Sequence, residues 1–244
     1  MNREQNIARF EAELARVQRP GVDKLLDYIR KSDFYTAPAS TRFHLSCEGG
    51  LLQHSLNVLD ALRGILTPIP DKAEYGYYTG GKMVATIPEE SVIIMALLHD
   101  ICKTYFYSTS TRNAKNEKTG KWEKVPYYTV KDRMPLGHGS KSAMIIKQYI
   151  ELTNQEMYAI WWHMGFTDTG DTASLTAAIE QYPIILAMHT ADMMASHFME
   201  SEQGNKPLFI PADPTPESAG EYADNPATGE PDFQEAPPLA QEGA

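Results

Sequence analysis

The sequence predicts a mostly α-helical bundle with one β-hairpin excursion and a disordered C-terminal tail. Three observations carry that expectation. Leu52, Leu56, Leu59, Leu62 and Leu66 recur at helical spacing in "GGLLQHSLNVLDALRGIL". Residues 104–134 break the helical pattern with aromatic and β-branched residues around a polar turn at Thr119-Gly120. Residues 204–244 hold eight of the sixteen prolines and few large apolar side chains, too few to offset the entropy of ordering.

In chain order, 3–17 and 21–31 read as short helices, and 49–66 as the leucine-rich helix after a Gly-Gly opening. Residues 74–87, "EYGYYTGGKMVATI", read as a second, smaller hairpin. "PEESVIIMALLHDICKTYF" (88–106) reads as a buried helix with Pro88 and two acids in its first turn, where they suit the helix dipole. Two more helices cover 140–152 and 154–164. A long one, 172–199, is interrupted at Pro183. The domain reading is an N-terminal helical segment, 1–40, packed on a domain of 41–203 that carries the 104–134 hairpin, followed by an acidic tail, 204–244.

Composition bounds the function classes. The 244 residues are 42% hydrophobic and 22% charged, ordinary for a soluble globular chain. No apolar run reaches membrane-spanning length and the N-terminus lacks a signal peptide, so a cytoplasmic protein with no membrane partner is expected. Two cysteines, Cys47 and Cys102, support neither a disulfide framework nor a thiolate cluster. Of the net charge of −10, the 201–244 stretch carries nine acids and one base, leaving the rest near neutral. A polyanionic substrate is therefore not excluded.

Four histidines fall in apolar helical stretches: His54, His99, His163 and His189. His99-Asp100 ends a buried-looking helix, Lys103 follows one turn on, and His189 and Asp192 are spaced i, i+3. Imidazole mixed with carboxylate suits Mn, Fe, Zn, Co or Ni, and an ion offsets the cost of burying the carboxylate.

The order His54, His99-Asp100, Asp192 resembles the HD superfamily of metal-dependent phosphohydrolases, whose signature is H…HD…D on separate helices. "FHLSCEGGLLQHSLNVL" resembles the "GGLLEH" opening of a bacterial subgroup, "LLHDICK" its "LLHDIGK", and "LGHGSKSAMII" a "GH" that opens the next helix. "WHMG" is similar to its "HHG", and "HTADMM" to its "H-x-AD". The subgroup most similar is the HD domain of bacterial 3′-to-5′ exoribonucleases, over roughly residues 40–200. The resemblance implies His54, His99, Asp100 and Asp192 as ligands of a first divalent transition metal. It implies His138 and His163 as holders of a second ion, Mg included, with Asp100 bridging. One or two ions are thus expected.

Asp100 and Lys103 are the expected catalytic residues, with Lys103, Arg42, His44 and Arg133 as substrate contacts. The implied activity is hydrolysis of a phosphoester or phosphoanhydride in a nucleotide or short nucleic acid, with a 3′-to-5′ exonuclease as an alternative. A non-catalytic nucleotide sensor is the alternative of another class. The oligomeric state stays open, a homo-oligomer included. The chain departs from the pattern at Cys102 (usually Gly), Met164 (usually the second His of "HHG") and Gln53 (usually an acid). The roughly 40 residues ahead of this region read as helical rather than as the N-terminal OB-fold of the exonucleases, which argues against a processive exonuclease unless the 104–134 hairpin grips the strand.

Overall fold

The computed structural model describes residues 2–116, 119–167 and 170–200. The expected disordered tail, 204–244, lies outside them. Helices α1 (Arg3–Leu14), α2 (Val22–Lys31), α3 (Gly50–Ile65), α4 (Glu89–Leu98), α5 (His138–Ile146), α6 (Asn154–Trp161), α7 (Thr172–Gln181) and α8 (Ile184–Met194) form the framework, and a π-helical turn, Ala195–Met199, extends α8. Strand β1 (Thr67–Pro68) pairs with β2 (Glu74–Thr79), which pairs with β3 (Lys82–Pro88). Strands β4 (Tyr107–Lys115) and β5 (Trp122–Val130) form a separate hairpin.

The mostly-α expectation is corrected by this strand content. Half of the described residues are helical, but 17% are strand, in two antiparallel sheets, and the smaller hairpin expected at 74–87 is β2–β3 with β1 added to it. The class is helical with β hairpins. Tyr75, Tyr77, Ala85 and Ile87 seat the β2–β3 ribbon on the helical core, so this sheet belongs to the body. Strand β1 is two residues long, too short for periodicity to reveal.

Helix α3 sits at the centre, against α1, α4 and α8. Its Leu51, Leu52, Leu56, Leu59 and Leu62 are fully buried. Helix α4 is apolar on every side and buried from Ser91 to Leu98, as a central helix must be. The N-terminal segment is part of this core: Phe10, Leu14, Leu25, Ile29 and Phe34 are all fully buried in it. Arg19 fastens that segment, donating to Glu90 at 2.7 Å and twice to the buried Glu156 carboxylate at 2.6 Å.

Two further boundaries bear on the site. The Gly-Gly opening of α3 is a close approach: a Cβ on Gly50 would lie 2.1 Å from the Leu45 carbonyl oxygen, so only glycine lets the 39–45 loop lie against the helix. The helix expected to run to Phe106 instead stops at Leu98, and a 3₁₀ turn, Ile101–Lys103, follows. The His99 Nδ1–H donates to the Ala96 carbonyl at 2.9 Å and so satisfies a helix-end carbonyl.

Candidate metal centre

Three imidazoles point the same edge inward, and the hydrogen bonds on their outer edges explain why. His99 Nδ1 faces the Ala96 carbonyl, His163 Nδ1 the Ile160 carbonyl at 2.7 Å, and His54 Nδ1 the Glu200 carboxylate at 2.9 Å. Carbonyls and ionised carboxylates only accept, so each Nδ1 carries a hydrogen, and each neutral ring presents an Nε2 lone pair.

These lone pairs meet carboxylates. His54 Nε2 lies 3.2 Å from His99 Nε2, 3.2 Å from Asp192 Oδ1 and 3.6 Å from Asp100 Oδ2. His99 Nε2 is 3.5 Å from Asp100 Oδ2, and His163 Nε2 is 3.7 Å from Asp100 Oδ1. Asp100 Oδ1 and His163 Nε2 are buried with no hydrogen-bond partner. A buried set of acceptors without donors is costly unless a cation fills it. Ligands about 2.1 Å from one ion are roughly 3.0–3.4 Å apart, close to the separations here. His54, His99 and Asp100 form one buried group within metal-binding distance, and His99, His163 and Asp192 another.

Electrostatics tell the same story. Burial alone would push His54 down, but the Asp192 and Glu200 hydrogen bonds outweigh it and raise the imidazole to about 10. Burial pushes Asp192 up, yet the His54 hydrogen bond holds it well below the carboxylate range. For Asp100, burial is outweighed by Lys103 and His99, and its carboxyl also stays low. His163 is pushed down to about 4 by burial and by His99, and His44 to about 4 by burial and by His54.

The remaining expected residues divide. Lys103 Nζ donates to Asp100 Oδ2 at 2.6 Å and to the Ala39 carbonyl at 2.8 Å. His44 stands beside His54, ring centroids 5.0 Å apart, at a cavity of about 990 Å³ that Asp100, Lys103, Asp192 and Glu200 also line. The two residues expected to share a second ion part company. His163 joins His99 and Asp192, whereas His138 lies beyond Asp100, its Nδ1 3.6 Å from Cys102 Sγ. Arg42 is not in the metal cavity but in a second one of about 440 Å³, with Arg112, Tyr127 and Tyr128. Arg133 is exposed beyond β5 and lines neither cavity. Met164, standing for the second His of the motif, lines the larger cavity.

His189 is a strut. Its Nδ1–H donates to the His163 carbonyl at 2.7 Å, and its ring fills the space a Cβ on Gly165 would need, at 2.7 Å.

No family model, curated protein or solved structure matches this chain.

Glu200 is the residue that sequence reasoning missed. Its side chain is fully buried, accepts from His54 Nδ1 and from Asn57 Nδ2 at 3.0 Å, and does for His54 what the acid absent at Gln53 would do. Gln53 itself donates to Asn57 at 2.8 Å, which holds the relay in place. A carboxylate two turns past Asp192 was the available signal. The wider π turn hides it, because one α turn plus one π turn returns residue i+8 to the face of residue i. Outer partners of this kind tune ligand basicity. Glu200→Gln should keep the fold and weaken metal affinity about 10- to 100-fold, measured by competition with a chelator. Unchanged affinity would make Glu200 a packing residue only.

Proposed function

We propose that the chain is an HD-type metal-dependent phosphohydrolase acting on a nucleotide or a short oligonucleotide. One observation carries the reading: imidazole Nε2 atoms and carboxylates converge beside the Lys103 ammonium at a cavity of about 990 Å³. His54, His99, Asp100 and Asp192 would hold the ion, with Mn, Fe, Zn, Co or Ni the metals their chemistry suits. When bound, such an ion supplies a water of lowered pKa and polarises a phosphoryl oxygen.

The protein's own residues do the rest. Lys103 keeps its proton: burial pushes it down, but Asp100 outweighs that and raises it above the ordinary lysine value. Its ammonium is available to charge developing on a phosphoryl group. Tyr107 donates to the same Ala39 carbonyl as Lys103, at 3.1 Å, which fixes the floor on which the ammonium rests. His44, neutral near pH 7, offers an imidazole at the cavity wall, where its Nε2 is without a hydrogen-bond partner.

The adjoining cavity supports the substrate class. Ser46 lines both cavities, so the cleft containing Arg42, Arg112, Tyr127 and Tyr128 borders the metal cavity along the 41–47 loop. The Arg112 guanidinium lies 5.7 Å from the Tyr127 ring centre. Guanidinium beside aromatic faces suits a base and its phosphate. Arg112→Ala should raise KM for a short oligonucleotide about 10-fold, the scale of one lost stacking contact, and leave kcat and mononucleotide turnover unchanged. An equal effect on mononucleotides would place the base elsewhere.

The deciding experiment is a panel of dNTPs, nucleoside monophosphates, cyclic dinucleotides and short RNA with Mn²⁺, using Asp100→Ala as the blank. Release of phosphate or shortened product by the wild type alone is expected. A metal-loaded protein that cleaves none of them would instead be a nucleotide sensor.

A further inference from the structure

The structure assigns Cys102 as a thiolate ligand of a second, softer metal site, formed with His138 and Asp100. This site rests on the metal-centre reading above, since Asp100 is shared between the two. Cys102 stands where the family pattern has glycine; it is buried, as a small residue tolerated there would be, and its Sγ lies 3.6 Å from His138 Nδ1. Asp100 places a carboxylate oxygen so that all three ligand atoms lie within 4.8 Å of one another.

Two independent features point to an ion. A tetrahedral ion with sulfur at about 2.3 Å and nitrogen at about 2.1 Å holds them about 3.6 Å apart, the separation seen here. Asp100 Oδ1, which faces His163 Nε2 at 3.7 Å, is buried and lacks any hydrogen-bond partner, while Oδ2 accepts from Lys103. The protein already holds both soft ligands in place. The Cys102 backbone N–H donates to Ser142 Oγ at 3.2 Å, and the Phe106 ring packs on His138 with centroids 5.6 Å apart.

The ligand set decides the metal class. Sulfur, imidazole and one carboxylate favour Zn²⁺ or Co²⁺ over Mg²⁺ and Mn²⁺. The metal–sulfur bond forms as the S–H bond breaks, and the proton leaves to solvent. His163 Nε2 faces the same carboxylate at 3.7 Å, and the Cys102 sulfur makes this second site softer than an all-oxygen-and-nitrogen one.

The test is Co²⁺ titration of the full chain followed by absorption. Two signals separate the two sites. Visible ligand-field bands report any bound Co²⁺, and an intense near-ultraviolet band reports thiolate bonded to it. Wild type should show both. Cys102→Ser should lose the near-ultraviolet band, drop from two ions to one, and keep the visible bands. His138→Ala should behave similarly. Cys47→Ser should change nothing, and circular dichroism should show all variants folded. A near-ultraviolet band that is absent from wild type, or that survives Cys102→Ser, overturns the thiolate site alone. Absence of every Co²⁺ signal overturns the metal centre with it.

Discussion

Asp100→Ala is expected to abolish phosphate release, by about 10³-fold or more, and to remove bound metal with it. Lys103→Ala should lower kcat about 10²- to 10³-fold, the cost of one preorganised charge at a reacting group, while metal is retained. The contrast follows from geometry. Asp100 faces His54, His99 and His163 through its two oxygens, so its loss removes the carboxylate on which three imidazoles converge. Lys103 touches the cluster only through Asp100 Oδ2 and is otherwise held by the Ala39 carbonyl. Kinetics paired with metal analysis separates the two roles. If Lys103→Ala loses metal as fully as Asp100→Ala, the lysine is holding the site together rather than acting on substrate.

The second large effect lies far from the metal. Arg19→Ala should cost about 3–5 kcal/mol, because it strands the buried Glu156 carboxylate. That is a large part of a typical total of about 5–15 kcal/mol. Arg19 also donates to the Glu151 carbonyl at 2.9 Å, so the loss unfastens the N-terminal segment from α4 and α6 together. The pH dependence fixes the sign. Burial pushes the Glu156 carboxyl up, but the Arg19 hydrogen bonds win and hold it below the ordinary glutamate value. Its stabilising contribution is therefore complete above the unfolded-state pKa, about 4.3, and is lost as pH falls through the lower folded value. In Arg19→Ala only the Ser91 and Thr153 hydrogen bonds are left to oppose burial, so Glu156 rises and the gap to wild type should narrow on acidification from pH 7 to 5. Thermal melts of both proteins across that range measure it. A gap that widens, or one below about 1 kcal/mol at pH 7, contradicts the pairing.

How much of this was legible depended on what sets each feature. The leucines of α3 and the apolar run of α4 were readable because burial imposes spacing, and both helices form the core. The break at Pro183 was readable from backbone chemistry alone. The candidate metal ligands were readable as residue types in order, and His54, His99, Asp100 and Asp192 do converge. What failed was set by tertiary contact. The end of α4 depends on His99 bonding back to Ala96, which its sequence position does not announce. The extent of β structure was underestimated because β1 is defined only by its partner β2. Glu200 was hidden by a π turn, and Cys102 by the absence of any second cysteine nearby in sequence, although its partner is a histidine 36 residues on. Arg42 lines the cavity beside the one His44 lines, because adjacency in sequence does not set which way a loop residue faces.

The most direct test of the central claim is the metal stoichiometry of the full chain, stripped with chelator and titrated with Zn²⁺ in a calorimeter. Wild type should take up at least one ion per chain, saturably and with proton release, and His99→Ala should not fill that first site. A wild-type chain that binds none, or a His99→Ala variant that binds as tightly as wild type, would contradict the account.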